Sequence, residues 1–568
     1  MPGDRPASRQ SSQPRPSRRV LQLLRPVPPP RGLRLSARRR RAAVCSIMLR
    51  EATRSRAPSI SPPSHFPPVS HGSTGVYPLL FLLSLYLVTR LCALTSLPIF
   101  VDEAIHLRWA MTLFHGGARL ALADGRGLPI WLSALTLRVF TDPVFAGRIV
   151  SVISGAISVW SIYSIAILLI SREAALAGTL FYICSPFTLF YDRIGLQDGT
   201  ASALGACTLL FSYRLVQCPN MRNAVALSGS MVLAVLSKMT SVVVLLTPLA
   251  VTLLLGSLRE PRIRRKLLLS YCMALAGFIG PVVYYLSSTT VLGKITGRST
   301  GIGRIVHNTL EATGWLWQYL TAPVFILVLA GVCTALARKR TPILALGCVI
   351  GATLGFFCAA SQIWFPRYIL FVGVPACILA GYAVWYSVDA AAGVPVLAGC
   401  SGHKALLTCV ASLLLCIPAL RVDFYLWTRP WEAPLPDIEV EQYIREWASG
   451  YGVEEAADFL KAEARGSHEV LTVLDLEYGT CSFLGLRLLL SKIDNIDVKY
   501  WGPGDLELLR GSRKSRGGRL FVVVEDPPVT RESQARIESA GLPASAVLRR
   551  KFVKPRSTRS ILVYEIVT

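Results

Sequence analysis

From Val76 onward the chain alternates long apolar runs with short polar interruptions. Several charge-free windows reach the ~20 residues that a helix needs to cross a bilayer core. The pattern predicts eleven membrane helices, near 76–98, 147–170, 174–190, 199–216, 223–237, 240–257, 267–287, 318–337, 342–360, 368–388 and 404–420. The pair 223–237 and 240–257 is short enough to be half-penetrating. The stretch 129–140 is apolar but too short to span, and is assigned to the interface. After Leu420 the hydropathy falls. Residues 421–568 read as a soluble α/β domain, with strands at 469–474, 519–524 and 560–567 and amphipathic helices at 454–464 and 531–540. Before Val76 no apolar period exists, and residues 1–75, rich in Pro, Arg and Ser, are expected to be disordered.

Composition sharpens this picture. Hydrophobic residues make up 52% of the 568 residues and charged residues 17%, and the mean hydropathy is +0.47. Soluble domains average about 45–50% apolar and ~25% charged, so an ordinary cytosolic enzyme and a disordered scaffold are both excluded. The net charge of +26 does not point to nucleic acid, because half of it sits in the first 75 residues, where 15 Arg face only Asp4 and Glu51. A basic arm beside membrane spans reads as a topology signal and a contact with lipid headgroups. A true tail, a transit peptide and a start extended upstream of Met48 all remain open for residues 1–47. The 14 Cys are scattered, mostly through apolar runs, with no zinc-like spacing, and the last 148 residues hold only Cys481, which excludes a disulfide within that region.

Eleven spans place the termini on opposite faces. With the Arg-rich tail in the cytosol, the basic loops 259–266 and 338–340 also fall inside, as the positive-inside rule requires. Ten acids occur between 77 and 420. Seven of them then face outward: Asp102, Glu103, Asp124, Asp142, Asp192, Asp198 and Glu311. Such a one-sided set at span ends predicts a wet extracytoplasmic cavity.

Two outward loops carry candidate chemistry. The first begins Phe100-Val101-Asp102-Glu103, and the second runs Tyr191-Asp192-Arg193-Ile194-Gly195-Leu196-Gln197-Asp198. Each acid has a plain alternative as a helix cap, since Asp is a favoured N-cap. Together, with cations nearby, they suit transfer of a sugar from a lipid phosphate. That leaving group needs cations to hold it rather than an acid to protonate it, and the acceptor hydroxyl needs one carboxylate as base. The loop 287–316, with Lys294, Arg298, Arg304 and His307, reads either as a lid over a lipid phosphate or as a solvated loop near headgroups. His106, four residues after Asp102, reads as a hydrogen-bonded or interfacial residue rather than a metal ligand.

These residues resemble a known family. The Asp102-Glu103 pair, Pro129-Ile130-Trp131-Leu132 followed by Arg148-Ile149-Val150, the Arg193-x-x-Leu196-x-Asp198 signature after Ser185-Pro186, Ser237-Lys238, and Phe365-Pro366-Arg367-Tyr368 are similar in order and spacing to the C-type-fold integral-membrane glycosyltransferases. The likeness is to the family of the protein O-mannosyltransferases and the lipid A aminoarabinose transferase. It covers about 76–420. Where members often carry Lys-Pro-Pro, this chain has Gly127-Leu128-Pro129, with Arg126 the nearest cation. Residues 442–456 resemble a segment that follows the last span in some bacterial members. No chemistry is assigned to it, and Gly450 and Gly452 read as a turn before the helix at Glu454.

The resemblance implies a mainly α polytopic bundle with a C-terminal extracytoplasmic α/β domain, in a bacterial-type plasma membrane rather than the endoplasmic reticulum. It implies inverting transfer from a polyprenyl-phosphate sugar to an acceptor hydroxyl on a protein, glycolipid or polysaccharide. Asp102 is expected to act as base, with Glu103 and Asp198 orienting it or binding sugar. Arg193, Lys238 and Arg367 are expected to hold the phosphate, with Arg298 and Arg304 from the lid. No obligatory cofactor or divalent metal, and no nucleic-acid partner, is expected. A transporter or flippase of lipid-linked sugars is the rival reading, although no internal repeat supports it.

Overall fold

All eleven expected membrane segments contain helix, but polar and proline interruptions divide several of them. The computed structural model describes residues 76–114, 127–287, 301–392, 403–467, 469–475, 479–500, 518–529 and 545–567. The expected disordered tail, the first half of the expected lid with Lys294 and Arg298, and the expected helix 531–540 lie outside the described residues. The membrane part runs α1 (Val76–Leu91), α2 (Val101–Phe114), α3 (Gly127–Thr136), α4 (Pro143–Leu169), α5 (Arg172–Ile183), α6 (Pro186–Tyr191), α7 (Gln197–Gln217), α8 (Met221–Ser237), α9 (Leu246–Leu254), α10 (Pro261–Ser287), α11 (Ile302–Ala337), α12 (Thr341–Ala360), α13 (Gly373–Ala392), α14 (Lys404–Leu415) and α15 (Ile417–Thr428). Two 3-10 stretches, Met239–Leu245 and Pro366–Val372, lead into α9 and α13.

The chain is an integral membrane protein, but the expected count of eleven spans is not established. Among the described residues four segments are long and apolar enough to cross a bilayer: α4, α11, α12 and Pro366–Ala392. A fifth arises if α14 and α15, bent by 58°, count as one. The difference has a physical cause. Ser185-Pro186 splits the expected 174–190 span into α5 and α6, and Lys238 ends α8 and starts a 3-10 stretch. The second half of the expected lid is a correction too. Residues from Ile302 are helical, and Asn308 ties that helix to α12 by donating to the Cys358 and Ser361 carbonyls at 3.0 and 3.2 Å.

Asp142 caps α4 by accepting from Val144 N at 2.8 Å, with Pro143 at the first helical position. Helix α5 packs on α13 through a small-residue contact. A Cβ on Gly381 would lie 2.6 Å from Gly178 N, so the two backbones approach too closely for any larger residue.

The C-terminal part begins with a short helix, α16 (Asp437–Val440), and a π turn over Glu441–Arg445. Helix α17 (Val453–Arg465) and helix α18 (Cys481–Leu489) then flank a five-stranded sheet of order β2-β1-β3-β5-β4. Strands β1 (Val470–Asp475), β2 (Ile496–Tyr500) and β3 (Gly518–Asp526) are parallel, β5 (Ser560–Ile566) pairs antiparallel with β3, and β4 (Ala546–Val553) pairs antiparallel with β5 at the edge. Period-two alternation sends Leu471, Val473, Phe521, Val523, Ile561 and Val563 to the face covered by α17 and α18. Strands β2 and β4 were not expected, because their residues are half polar.

This domain docks on the loop before α2. Val101 N donates to the Ala448 carbonyl at 3.0 Å, Phe100 pairs with Ser449, and Ile99 N donates to Glu454 Oε1 at 2.9 Å. A Cβ on Gly450 would sit 2.2 Å from the Ile99 carbonyl oxygen, so only glycine permits this approach. Gly450→Ala should therefore cost about 1–3 kcal/mol, the usual range for overpacking, read as a lowered Tm in detergent. Gly229→Ala, where nothing lies within 4 Å of the added carbon, should leave Tm unchanged or slightly raised. Equal Tm for both variants would contradict this docking.

Candidate active site

Glu103 organises the two acidic loops. Its carboxylate is fully buried and accepts from Arg148 Nε and Nη2, both at 2.9 Å, from Phe100 N at 3.0 Å and from Gly195 N at 2.6 Å. The bond from Phe100 N is the reciprocal half of a capping box at the start of α2. Arg148 also donates to the carbonyls of Leu94, Leu97 and Pro98. The cap alternative raised for Asp102 thus falls to its neighbour, and four donors occupy the carboxylate expected to orient or bind.

Asp102 instead pairs with Arg367, Oδ2 to Nη2 at 3.2 Å, and its side chain is 23% exposed. Arg367 lies at the start of the 3-10 stretch before α13. Its guanidinium carbon is 4.8 Å from the Phe365 ring centroid, and Nη1 donates to Tyr443 Oη at 3.5 Å. A second pair stands close by: Lys238 Nζ donates to Asp198 Oδ1 at 2.5 Å. The Tyr368 ring joins the two, with Lys238 Nζ 4.2 Å and the Arg367 guanidinium carbon 6.0 Å from its centroid. Both cations sit where a helix gives way to non-helical backbone. Such breaks are tolerated at membrane depth only where protein buries them or a cavity needs them.

Post-span residues complete the cluster. Glu439, from α16, is buried and accepts from Tyr191 Oη. Burial pushes its carboxyl from 4.5 up to about 7, against the pull of the Tyr191 bond and of Arg367 and with a further push from Asp198. Tyr443, in the π turn, packs 4.3 Å from Phe100, ring to ring. Burial raises its phenol well above the usual value.

The structure therefore brings together four of the expected site residues: Asp102, Asp198, Lys238 and Arg367. Arg193 is placed elsewhere. It donates to the carbonyls of Leu426 and Ala93 and to Ser96 Oγ, tying the second loop to the end of α1 and to α15. Arg304 is half-buried in the first turn of α11, and Arg298 lies outside the described residues. His106 is buried 5.9 Å from Trp109, ring to ring. Sequence reasoning missed Tyr443 and Glu439. The only local trace of Glu439 is an acid set between Ile438 and Val440 just after Pro436.

The sequence profile of the family described as dolichyl-phosphate-mannose-protein mannosyltransferase matches residues 128–285. By structure the chain is similar to ArnT from Cupriavidus metallidurans in the apo state, with a TM-score of 0.56 at 14% identity, over 87% of this chain and 99% of that one. The fold is that of the C-type membrane glycosyltransferases. ArnT bound to undecaprenyl phosphate gives a TM-score of 0.55 at 16% identity, over 88% of this chain and 99% of that one. No curated protein matches significantly by sequence. Within this C-type frame the profile match contains Arg148, Asp198 and Lys238, whereas Asp102, Arg367, Glu439 and Tyr443 come from outside it.

The raised Glu439 carboxyl makes stability depend on pH. Between about 4.5 and 7 the folded protein holds a proton there that the unfolded chain has released, so this contribution is full below about 4.5 and is lost as pH rises through about 7. Glu439→Gln, which cannot ionise, should gain Tm relative to wild type as pH is raised across that window. A wild-type-minus-variant difference that is flat with pH would contradict the assignment.

Proposed function

We propose that this chain transfers a sugar from a polyprenyl-phosphate carrier to an acceptor hydroxyl, in one displacement that inverts the anomeric centre. The observation that carries the proposal is the paired cluster Asp102–Arg367 and Asp198–Lys238 around Tyr368. Its four charged members come from four different segments, and the docked C-terminal domain covers the loop that holds the first of them.

The chemistry needs one base and a cationic grip. Arg367 and Lys238 hold the carrier phosphate as the bond between it and the anomeric carbon breaks and its charge grows. Asp102 takes the proton of the acceptor hydroxyl as the new bond forms at that carbon. Arg367 touches the base and would also touch the phosphate, so one guanidinium fixes the distance between the two reacting ends. Glu103, Arg148 and Arg193 act as positioning residues for the loops. The fold of ArnT, one of whose structures is bound to undecaprenyl phosphate, supports a lipid-phosphate donor. We place the site on the extracytoplasmic face of a bacterial-type plasma membrane, following the basic loops near 259–266 and 338–340. A flippase would need neither a fixed base nor a soluble domain clamped onto the loop bearing it.

Asp102→Asn keeps the shape of the side chain but cannot take a proton. Sugar transfer from polyprenyl-phosphate donors in liposomes should fall by ~10²–10⁴, with Tm preserved. Full activity in the Asn variant would remove Asp102 as the base.

A further inference from the structure

Two carboxylates in this cluster are incompletely bonded. Asp198 Oδ1 takes Lys238, but Oδ2 is buried and has no hydrogen-bond partner among the described residues. Glu439 Oε1 takes Tyr191 Oη, and its Oε2 is likewise buried and unpartnered. The two acids are close enough to act on one another electrostatically, and both act on the same Arg367. Glu439 is 1% exposed and Asp198 2%. Leaving a buried carboxylate oxygen without a donor is costly, and such groups call for an explanation.

Resting on the glycosyl-transfer reading, we propose that Glu439 is a specificity-determining residue that, with Asp198, binds hydroxyl groups of the transferred sugar. Hydroxyls supply the donors these two oxygens lack, and each can bond a carboxyl of either protonation state. A divalent cation suits the place less well, because Lys238 and Arg367 already stand beside the carboxylates. The phosphate suits it least, being an anion. The cations grip the carrier, and the two acids read what the carrier bears. The aromatic surroundings of Glu439 fit the same role: Tyr191 donates to it, the Tyr319 ring lies 6.2 Å from that of Tyr191, and Tyr443 packs 5.0 Å from Phe190. Glu439 comes from the segment after the last membrane helix, so part of the sugar choice is set outside the helices that grip the carrier.

The test uses the full chain in detergent and two kinds of probe. One is bare undecaprenyl phosphate. The other is a panel of undecaprenyl phosphates bearing different hexoses and pentoses. The readout is the ratio of Kd for the bare carrier to Kd for the best glycosylated one. Glu439→Leu should lower this ratio by ~10–100-fold, the scale of lost hydrogen bonds to a charged group, while bare-carrier binding stays the same or tightens. Glu439→Gln, which still offers an oxygen and an N–H, should retain part of the ratio. If Glu439→Leu fails to fold, the Gln variant alone decides, since a residue that only packs against Tyr191 would shift both affinities together. An unchanged ratio in the variants overturns the proposal and leaves the transfer reading standing. Loss of the wild-type ratio on chelation would assign the two oxygens to a metal instead. A wild type that binds none of the carriers, or does not distinguish bare from glycosylated ones, overturns the transfer reading and this proposal with it.

Discussion

The buried pair between Glu103 and Arg148 is the contact on which the rest of the site depends. Removing one partner of such a pair strands a charge in the interior at a cost of about 3–5 kcal/mol. Here the loss spreads further, because Arg148 also holds three carbonyls of the segment after α1 and Glu103 also holds the amides of Phe100 and Gly195. One ion pair thus fixes the end of the first loop, the start of α2, the wall of α4 and the second loop together. With Glu103 spent on this knot, its neighbour Asp102 is left to meet Arg367. Two adjacent acids of the same charge acquire opposite duties through their hydrogen bonds alone.

The C-terminal domain secures the same loop from the other side. Lys554, just after β4, and Glu525, near the end of β3, are both fully buried and pair at 3.0 Å, and Lys554 also donates to the carbonyls of Glu446 and Ser449. Ser449 and its neighbour Ala448 pair with Phe100 and Val101, directly before Asp102. The sheet therefore reaches the first loop through the Lys554 side chain and the backbone pairing of Ala448 and Ser449, and the loop is held between two buried ion pairs.

Much of this could be read in the sequence where one physical signal dominates. Apolar runs located the four segments that, among the described residues, are long and apolar enough to cross a bilayer, and three strands of the sheet were visible because both of their faces are largely apolar. Breaks inside the runs were less visible, since Ser185-Pro186 and Lys238 lie within continuous hydropathy. The strands 496–500 and 546–553 were hidden by their exposed charged faces. At the site, motif order picked out Asp102, Asp198, Lys238 and Arg367, which the fold joins. It also favoured Glu103 and Arg193, whose charges serve packing, because residue type alone does not tell a buried knot from a reactive group. Glu439 and Tyr443 were out of reach for the opposite reason. They enter the cluster only because the chain folds back after the last membrane helix, and nothing local to them announces that return.

In the proposed function, carrier grip, base and sugar contacts are assembled from loops, broken helices and the post-span segment around Tyr368. The most direct test is a cryo-EM structure of the protein with a glycosylated undecaprenyl phosphate. The phosphate is expected within hydrogen-bond reach of Arg367 and Lys238, with the anomeric carbon facing Asp102. A phosphate bound instead among the basic residues 338–340, with this cluster left empty, would contradict it.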